Sequence, residues 1–325
     1  MRKNLGKLLA LLVGIAIFAI VLSRLDAGKI AGIISGASPY PALLALAIVF
    51  FGVFLKGIKW RLLLSLFCKM QVGILDASKY FLIGFFLSIP TPGRVGDLAR
   101  AFYVRKQAGL GQGLSTVVFD RLIDITVLLF FGIVSAFLFS SLFGMEVFSL
   151  PLAVLAIACF FALVFLFLRK GFAKAALRPF FRAFVPEGFR GKTAEGFEEF
   201  FSSLAGYRKG WPAVVGNALL SFLCFALSFA VFWLVCFSLG LNVSLLFVIL
   251  AVSIAALAEI IPITVSGIGV REGLLVFLFS FIGVSAETAF AVSILYYILG
   301  YVSVAIVGFF VFLKEPIKLG DFLRH

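Results

Sequence analysis

Apolar runs of membrane-spanning length alternate with short charged segments along the whole chain. Crossing a hydrocarbon core of roughly 30 Å takes about 20 apolar residues in a helix. Six stretches meet that need: 5–23, 41–67, 114–140, 147–168, 212–239 and 287–313. Two others, 78–105 and 243–283, are equally apolar but interrupted by Pro, Gly and charge. The pattern predicts an all-α polytopic membrane bundle with two broken or re-entrant segments. It reads as one integral membrane domain over residues 1–325, with no separate water-soluble part. The first run follows a basic start, as in a signal peptide, but ends in Ser23, Arg24, Leu25 and Asp26 rather than in small residues suited to cleavage. A retained first helix is expected.

The placement of Lys and Arg sets the expected orientation. With the N-terminus inside, segments 1–7, 56–79, 94–106, 169–210 and 314–325 carry 24 of the 28 basic residues. The outer loops hold only Arg24 and Lys29. That bias puts both termini in the cytoplasm, with the cell membrane as the expected location. Parity then requires 78–105 to leave and return on the inner side, and 243–283 to begin and end on the outer side. Each is a hairpin or a pair of crossings, and such opposite entry would suit an inverted repeat. Segment 169–210, with Arg169, Lys170, Lys174, Arg178, Arg182, Arg190 and Lys192 among Phe and Ala, reads as a basic cytoplasmic connection lying on anionic headgroups or as a solvated loop.

Composition narrows the classes. The chain is 63% hydrophobic and 13% charged, against roughly 45–50% and about 25% in soluble domains. Lipid must take up the excess. The net charge of +13 is divided among the inner segments rather than gathered on one polar face, which argues for a membrane surface and against nucleic acid. Cys68, Cys159, Cys224 and Cys236 lie in or beside apolar runs without metal-ligand spacing, and the sole histidine is His325. No metal or cofactor is expected, and no histidine base is at hand within the membrane.

The candidate chemistry sits in the two broken segments. The first runs through Ile89, Pro90, Pro92, Gly93, Arg94, Gly96, Asp97 and Arg100; the second through Glu259, Pro262, Thr264, Ser266, Gly267, Gly269, Arg271 and Glu272. Each has Ile-Pro, a Thr- or Ser-bearing glycine break, and then a charged pair, Arg94 with Asp97 and Arg271 with Glu272. Irregular backbone at membrane depth is tolerated where protein or a wet cavity satisfies its N–H and C=O groups. Paired interruptions in two halves of a chain point to a central site. Helix N-termini after the breaks would aim N–H groups into that cavity, and arginine forks match phosphate oxygens. The plain alternative is two kinked helices with charges at the interface.

Asp120, Arg121 and Asp124 open the helix 114–140, with the two carboxylates one turn apart. Intramembrane charge costs at least about 2.5–3.5 kcal/mol at the bilayer centre, so such a cluster implies pairing or a cavity. Glu259, flanked by apolar residues on both sides, is the strongest single candidate for a headgroup-contacting or proton-carrying group. Lys56, Lys59 and Arg61 read as snorkelling anchors at the inner interface.

Three motifs in order, Pro92 to Arg100 (with Gly93, Arg94, Gly96 and Asp97), Asp120-Arg121 with Asp124, and Glu259 with Pro262, Gly267, Gly269, Arg271 and Glu272, resemble those of the lysylphosphatidylglycerol synthase transmembrane-region family. The likeness runs from the first helix to the last. Asp97 and Asp120 stand where that family often has Glu, and Ser266 where Gly is common. The resemblance implies movement of phospholipid between leaflets. It does not imply lipid synthesis, since the cytoplasmic aminoacyltransferase domain of the bifunctional synthases has no counterpart before His325.

The leading expectation is a flippase or transporter for a phospholipid or polyprenyl-phosphate headgroup. Arg94, Arg100, Arg121 and Arg271 would meet phosphate, and Asp97, Asp120, Asp124, Glu259 and Glu272 would position them or meet cationic groups. Membrane lipids with anionic headgroups are then the partners. The competing expectation is a lipid-modifying transferase at the cytoplasmic face, with Asp120 and Asp124 holding a divalent cation. A noncatalytic membrane scaffold is the third.

Overall fold

The computed structural model describes residues 22–23, 25–144, 211–260 and 269–316, plus positions 151 and 158. Most of the expected helices 5–23 and 147–168, the basic connection 169–210, and residues 261–268 of the second break lie outside this set. The described residues are helical throughout, without strands. Four helices are long and apolar enough to span a bilayer: 39–67, 110–142, 212–238 and 286–314. They coincide with four of the six uninterrupted runs.

A short helix α1 (Ala27–Ser35) starts at Asp26, whose carboxylate accepts from the N–H groups of Gly28 and Lys29. Helix α2 (Pro39–Phe67) opens with proline in its first turn, where the missing N–H costs nothing. Helix α3 (Ile74–Ser88) has 15 residues and rises about 22 Å, short of a full crossing. The chain then takes a 3₁₀ turn through Pro92–Ala99 and enters α4 (Arg100–Ala108). Gly109, at φ +77°, lets it turn into the long helix α5 (Leu110–Leu142). The second half contains α6 (Trp211–Ser238), α7 (Leu245–Ile260), α8 (Val270–Ser280) and α9 (Ala286–Tyr297). A π-helical turn, Ile298–Val302, joins α9 to α10 (Ser303–Lys314).

The first broken segment doubles back on itself. The 3₁₀ turn packs along the end of α3, and glycines make the approach close enough. A Cβ on Gly96 would collide with the Leu87 carbonyl, and one on Gly84 would lie 2.9 Å from Asp97 Oδ1. Thr91 ties the turn: its hydroxyl donates to the Ser88 carbonyl at 2.8 Å and accepts from the Gly96 N–H at 3.0 Å. Around this hairpin, α3 packs against α2 and α10, α2 against α6, α5 against α7, and α8 against α9. The largest apolar cluster joins Phe139, Phe229, Phe232, Phe247 and Phe279 from four helices, and a second joins Trp60, Leu64, Ala101, Val104 and Val117.

Helix contacts depend on missing side chains at other positions too. On α10, Gly308 faces the Leu82 carbonyl and Phe86 of α3, whereas Gly52 of α2 faces open space. Gly308→Leu should therefore destabilise the protein by roughly 1–3 kcal/mol through overpacking. Gly52→Ala should not, as judged by denaturation of the purified protein in detergent.

Candidate functional site

Opposite charges alternate in a ladder across the first half. On α5, Asp120 and Asp124 lie one turn apart, and the Lys59 ammonium of α2 enters between them, 3.1 Å from Asp120 Oδ1 and in short contact with Asp124 Oδ1. Arg100 of α4 continues the series with Asp120 at 2.8 Å and Asp97 at 3.3 Å. Asp97, in the 3₁₀ turn, also accepts from Arg121 at 2.7 Å. The Ser221 hydroxyl of α6 donates to Asp124 at 2.8 Å, and Asn217 donates to the Lys59 carbonyl at 3.0 Å. Three helices and the 3₁₀ turn thus meet through largely buried ion pairs, and α6 joins them by hydrogen bonds. Lys59 and Asp97 are each 1% exposed and Arg100 is sealed completely. The Arg100 guanidinium also lies 5.0 Å from the centre of the Trp60 ring, a cation–π arrangement favoured in a dry site.

A second group forms around α8. Gly269, at φ +89°, caps the helix, and its N–H donates to Glu272 Oε2 at 2.6 Å. Arg271 pairs with Glu272 through Nη2 in a short contact, and Ser293 of α9 donates to the same carboxylate at 3.3 Å. Glu259, near the end of α7, is 3.7 Å from Arg271 and 4.0 Å from Arg94 of the hairpin, and accepts from the Tyr301 hydroxyl at 3.4 Å. Tyr301 comes from the π-helical turn, a feature frequent at functional sites. Both Arg94 and Arg271 lie over its ring, at 5.2 and 5.4 Å from the centre.

The two groups border one cavity of about 380 Å³, within the range of small-ligand pockets. Its ionisable lining is Lys56, Arg94, Arg121, Asp124, Glu259 and Arg271, four cations against two carboxylates. The rest is mostly apolar, including Ile48, Val53, Phe81, Phe85, Leu128, Phe232 and Val304. Lys56, Arg94 and Arg121 have the more open side chains, at 33%, 30% and 26% exposure. The carboxylates stand behind them.

Of the nine residues singled out in the sequence, Arg94, Arg121, Asp124, Glu259 and Arg271 reach this cavity together. Asp97, Arg100, Asp120 and Glu272 do not line it and lie buried, Asp97 against Arg121 and Glu272 against Arg271. Arg100 was expected at phosphate, but two aspartates and Trp60 hold it behind the wall. Two other expectations change as well. Arg94 does not pair with Asp97: at φ +55° it leaves the regular row of the 3₁₀ turn, so its side chain meets Glu259 while Asp97 turns to Arg100 and Arg121. The Gly269 amide, at the N-cap of α8, is taken up by the Glu272 carboxylate and is not free to meet a ligand.

Lys59 is no interfacial anchor. It is buried between Asp120 and Asp124, and Lys56 lines the cavity. A signal was present: Lys56 and Lys59 are three apart on an apolar helix, hence on one face, complementary to the Asp120 and Asp124 face. Tyr301 and Ser221 carried no comparable signal, being ordinary polar residues in apolar runs.

This geometry defines a class: a membrane helical protein with a cavity lined by charged side chains from α2, the first broken segment, α5, α7 and α8. A profile of the lysylphosphatidylglycerol synthase TM region matches residues 7–308, and the chain belongs to that family. It is 28% identical over 247 residues to a UPF0104 membrane protein of Methanocaldococcus jannaschii, covering 71% of this chain and 97% of that relative. A second UPF0104 membrane protein of the same organism is 23% identical over 301 residues, 89% of each chain. One from Methanothermobacter thermautotrophicus is 23% identical over 322 residues, 94% of each. The protein is thus a multi-pass member of a lipid-related membrane family.

The buried ladder should dominate stability. Removing one member of a buried pair leaves an uncompensated charge and costs roughly 3–5 kcal/mol. Lys59→Ala should therefore cause a large loss of thermal stability in detergent. Lys79→Ala, which breaks the open pairs with Asp76 and Glu315, should change it far less.

Proposed function

We propose that the protein translocates a lipid bearing a phosphate headgroup, a phospholipid or polyprenyl phosphate, across the cell membrane. The observation that carries this reading is the cavity itself. It presents an excess of cations at one surface and apolar side chains over the remainder, so it suits an amphiphile with an anionic head. The first broken segment, read as a re-entrant hairpin entered from the cytoplasm, and the second, entered from outside, supply Arg94 and Arg271 from opposite sides. With both termini cytoplasmic, such a site lies between the two leaflets. The apolar walls provide a path for acyl or prenyl chains while the head stays solvated by ionic groups. Membership in a family named for lysylphosphatidylglycerol synthase supports a lipid substrate.

The transferase reading gains nothing from the ladder. Asp120 and Asp124, its intended cation ligands, already enclose the Lys59 ammonium.

Reconstitution into liposomes with headgroup-labelled phosphatidylglycerol, phosphatidic acid and a polyprenyl phosphate tests the proposal. The protein should accelerate headgroup exchange for at least one of these lipids over empty liposomes. Arg271→Ala and Glu259→Gln should each lower the rate by roughly tenfold or more. Rates equal to empty liposomes across the panel would remove the transport reading.

A further inference from the structure

The carboxylates around the cavity are not held alike. Asp97, Asp120 and Asp124 each accept at least one contact of 2.8 Å or less, from Arg121, Arg100 and Ser221 respectively. Glu272 accepts from the Gly269 N–H at 2.6 Å. Among the described residues, Glu259 has no such partner: its contacts are Tyr301 at 3.4 Å, Arg271 at 3.7 Å and Arg94 at 4.0 Å. It is thus shared by two guanidinium groups and fully engaged by neither.

The cations around it have capacity to spare. Arg271 is 3% exposed, yet its Nε and Nη1 lack a hydrogen-bond partner among the described residues. A buried guanidinium with unfilled donors is costly unless something accepts from them. Arg94 adopts φ +55°, a region rarely occupied by residues with side chains, and one that costs about 1–3 kcal/mol when found at a functional site. That backbone carries the guanidinium across to Glu259 and away from Asp97.

We propose that Glu259 is the resident counter-ion of the anion subsite, and that a lipid phosphate takes its place between Arg94 and Arg271. The phosphate oxygens accept from the unfilled Arg271 donors and from the Tyr301 hydroxyl, which now serves Glu259. The displaced carboxylate stays beside the cavity, so the phosphate adds negative charge, and the excess of cations in the lining offsets it. Release follows when the Glu259 carboxylate returns to both guanidinium groups. This inference rests on the transport reading and gives Glu259 a definite part in it. A carboxylate that competes with ligand weakens binding and speeds departure; one that merely orients Arg94 and Arg271 strengthens binding.

The two roles separate on titration of the purified full chain in neutral detergent. The probe is dihexanoyl phosphatidic acid, with dihexanoyl phosphatidylcholine as the comparison and inorganic phosphate as a third arm. The wild type should prefer phosphatidic acid. Glu259→Gln should bind it about tenfold tighter while translocating more slowly, since the returning counter-ion is gone. Arg94→Gly, which suits the positive φ and removes the whole side chain with its guanidinium, should weaken binding, and the gain from Glu259→Gln should shrink in that background. Glu259→Ala should behave as Glu259→Gln does, so either variant that purifies monodisperse serves. Equal or weaker binding in both Glu259 variants, with the wild-type preference intact, overturns the exchange and leaves the transport reading standing. A wild type with no preference for the anionic lipid overturns the exchange as well, and a wild type that binds neither lipid removes both readings. Binding of inorganic phosphate as tight as that of the lipid, with the same response to Glu259→Gln, supports the exchange and overturns the lipid as its source.

Discussion

Charge can enter an apolar bundle only if opposite charge meets it there, and this constraint shapes the first half of the protein. Lys59, Asp120, Arg100, Asp97 and Arg121 form an alternating series drawn from α2, α5, α4 and the 3₁₀ turn. Each member would be costly alone, so each fixes where its neighbours must be. The hairpin is held to α5 because Asp97 pairs with Arg121 there. The ladder is therefore both a framework and a support: it leaves Arg121, Asp124 and Lys56 facing the cavity, with their counter-charges supplied from behind.

The second half solves the same problem with fewer parts. Gly269 and Glu272 close the start of α8, and Glu272 holds Arg271 in place. The π-helical turn brings Tyr301 under both Arg94 and Arg271. Ring faces attract guanidinium groups without neutralising them, so the two cations keep their charge available to the cavity. The only carboxylate between them, among the described residues, is the loosely held Glu259.

Much of this was legible in the sequence. Run length and polarity identified the four described spans, because lipid imposes a length on any helix that crosses it. The two Pro/Gly interruptions stood out for the same reason, and the charges next to them were rare enough in apolar surroundings to mark the site. Lys59 was misplaced because a lysine eight residues from the end of a long helix looks like a residue that snorkels. Arg100 was placed at the ligand because its type suits phosphate, and type alone does not tell which side of a wall a residue occupies.

The sequence by itself determined that the chain is a membrane helix bundle, where its four described spans run, and which ionisable residues need an explanation. Those follow from local composition and from the cost of charge in lipid. Only the tertiary structure decided the pairing: Lys59 between two aspartates, Asp97 with Arg100 and Arg121, Arg94 with Glu259. Of these partners, Arg94 and Glu259 lie 165 residues apart, and several cations compete for each carboxylate. Which of them wins depends on helix packing and on the φ of a single residue, and no spacing along the chain encodes that.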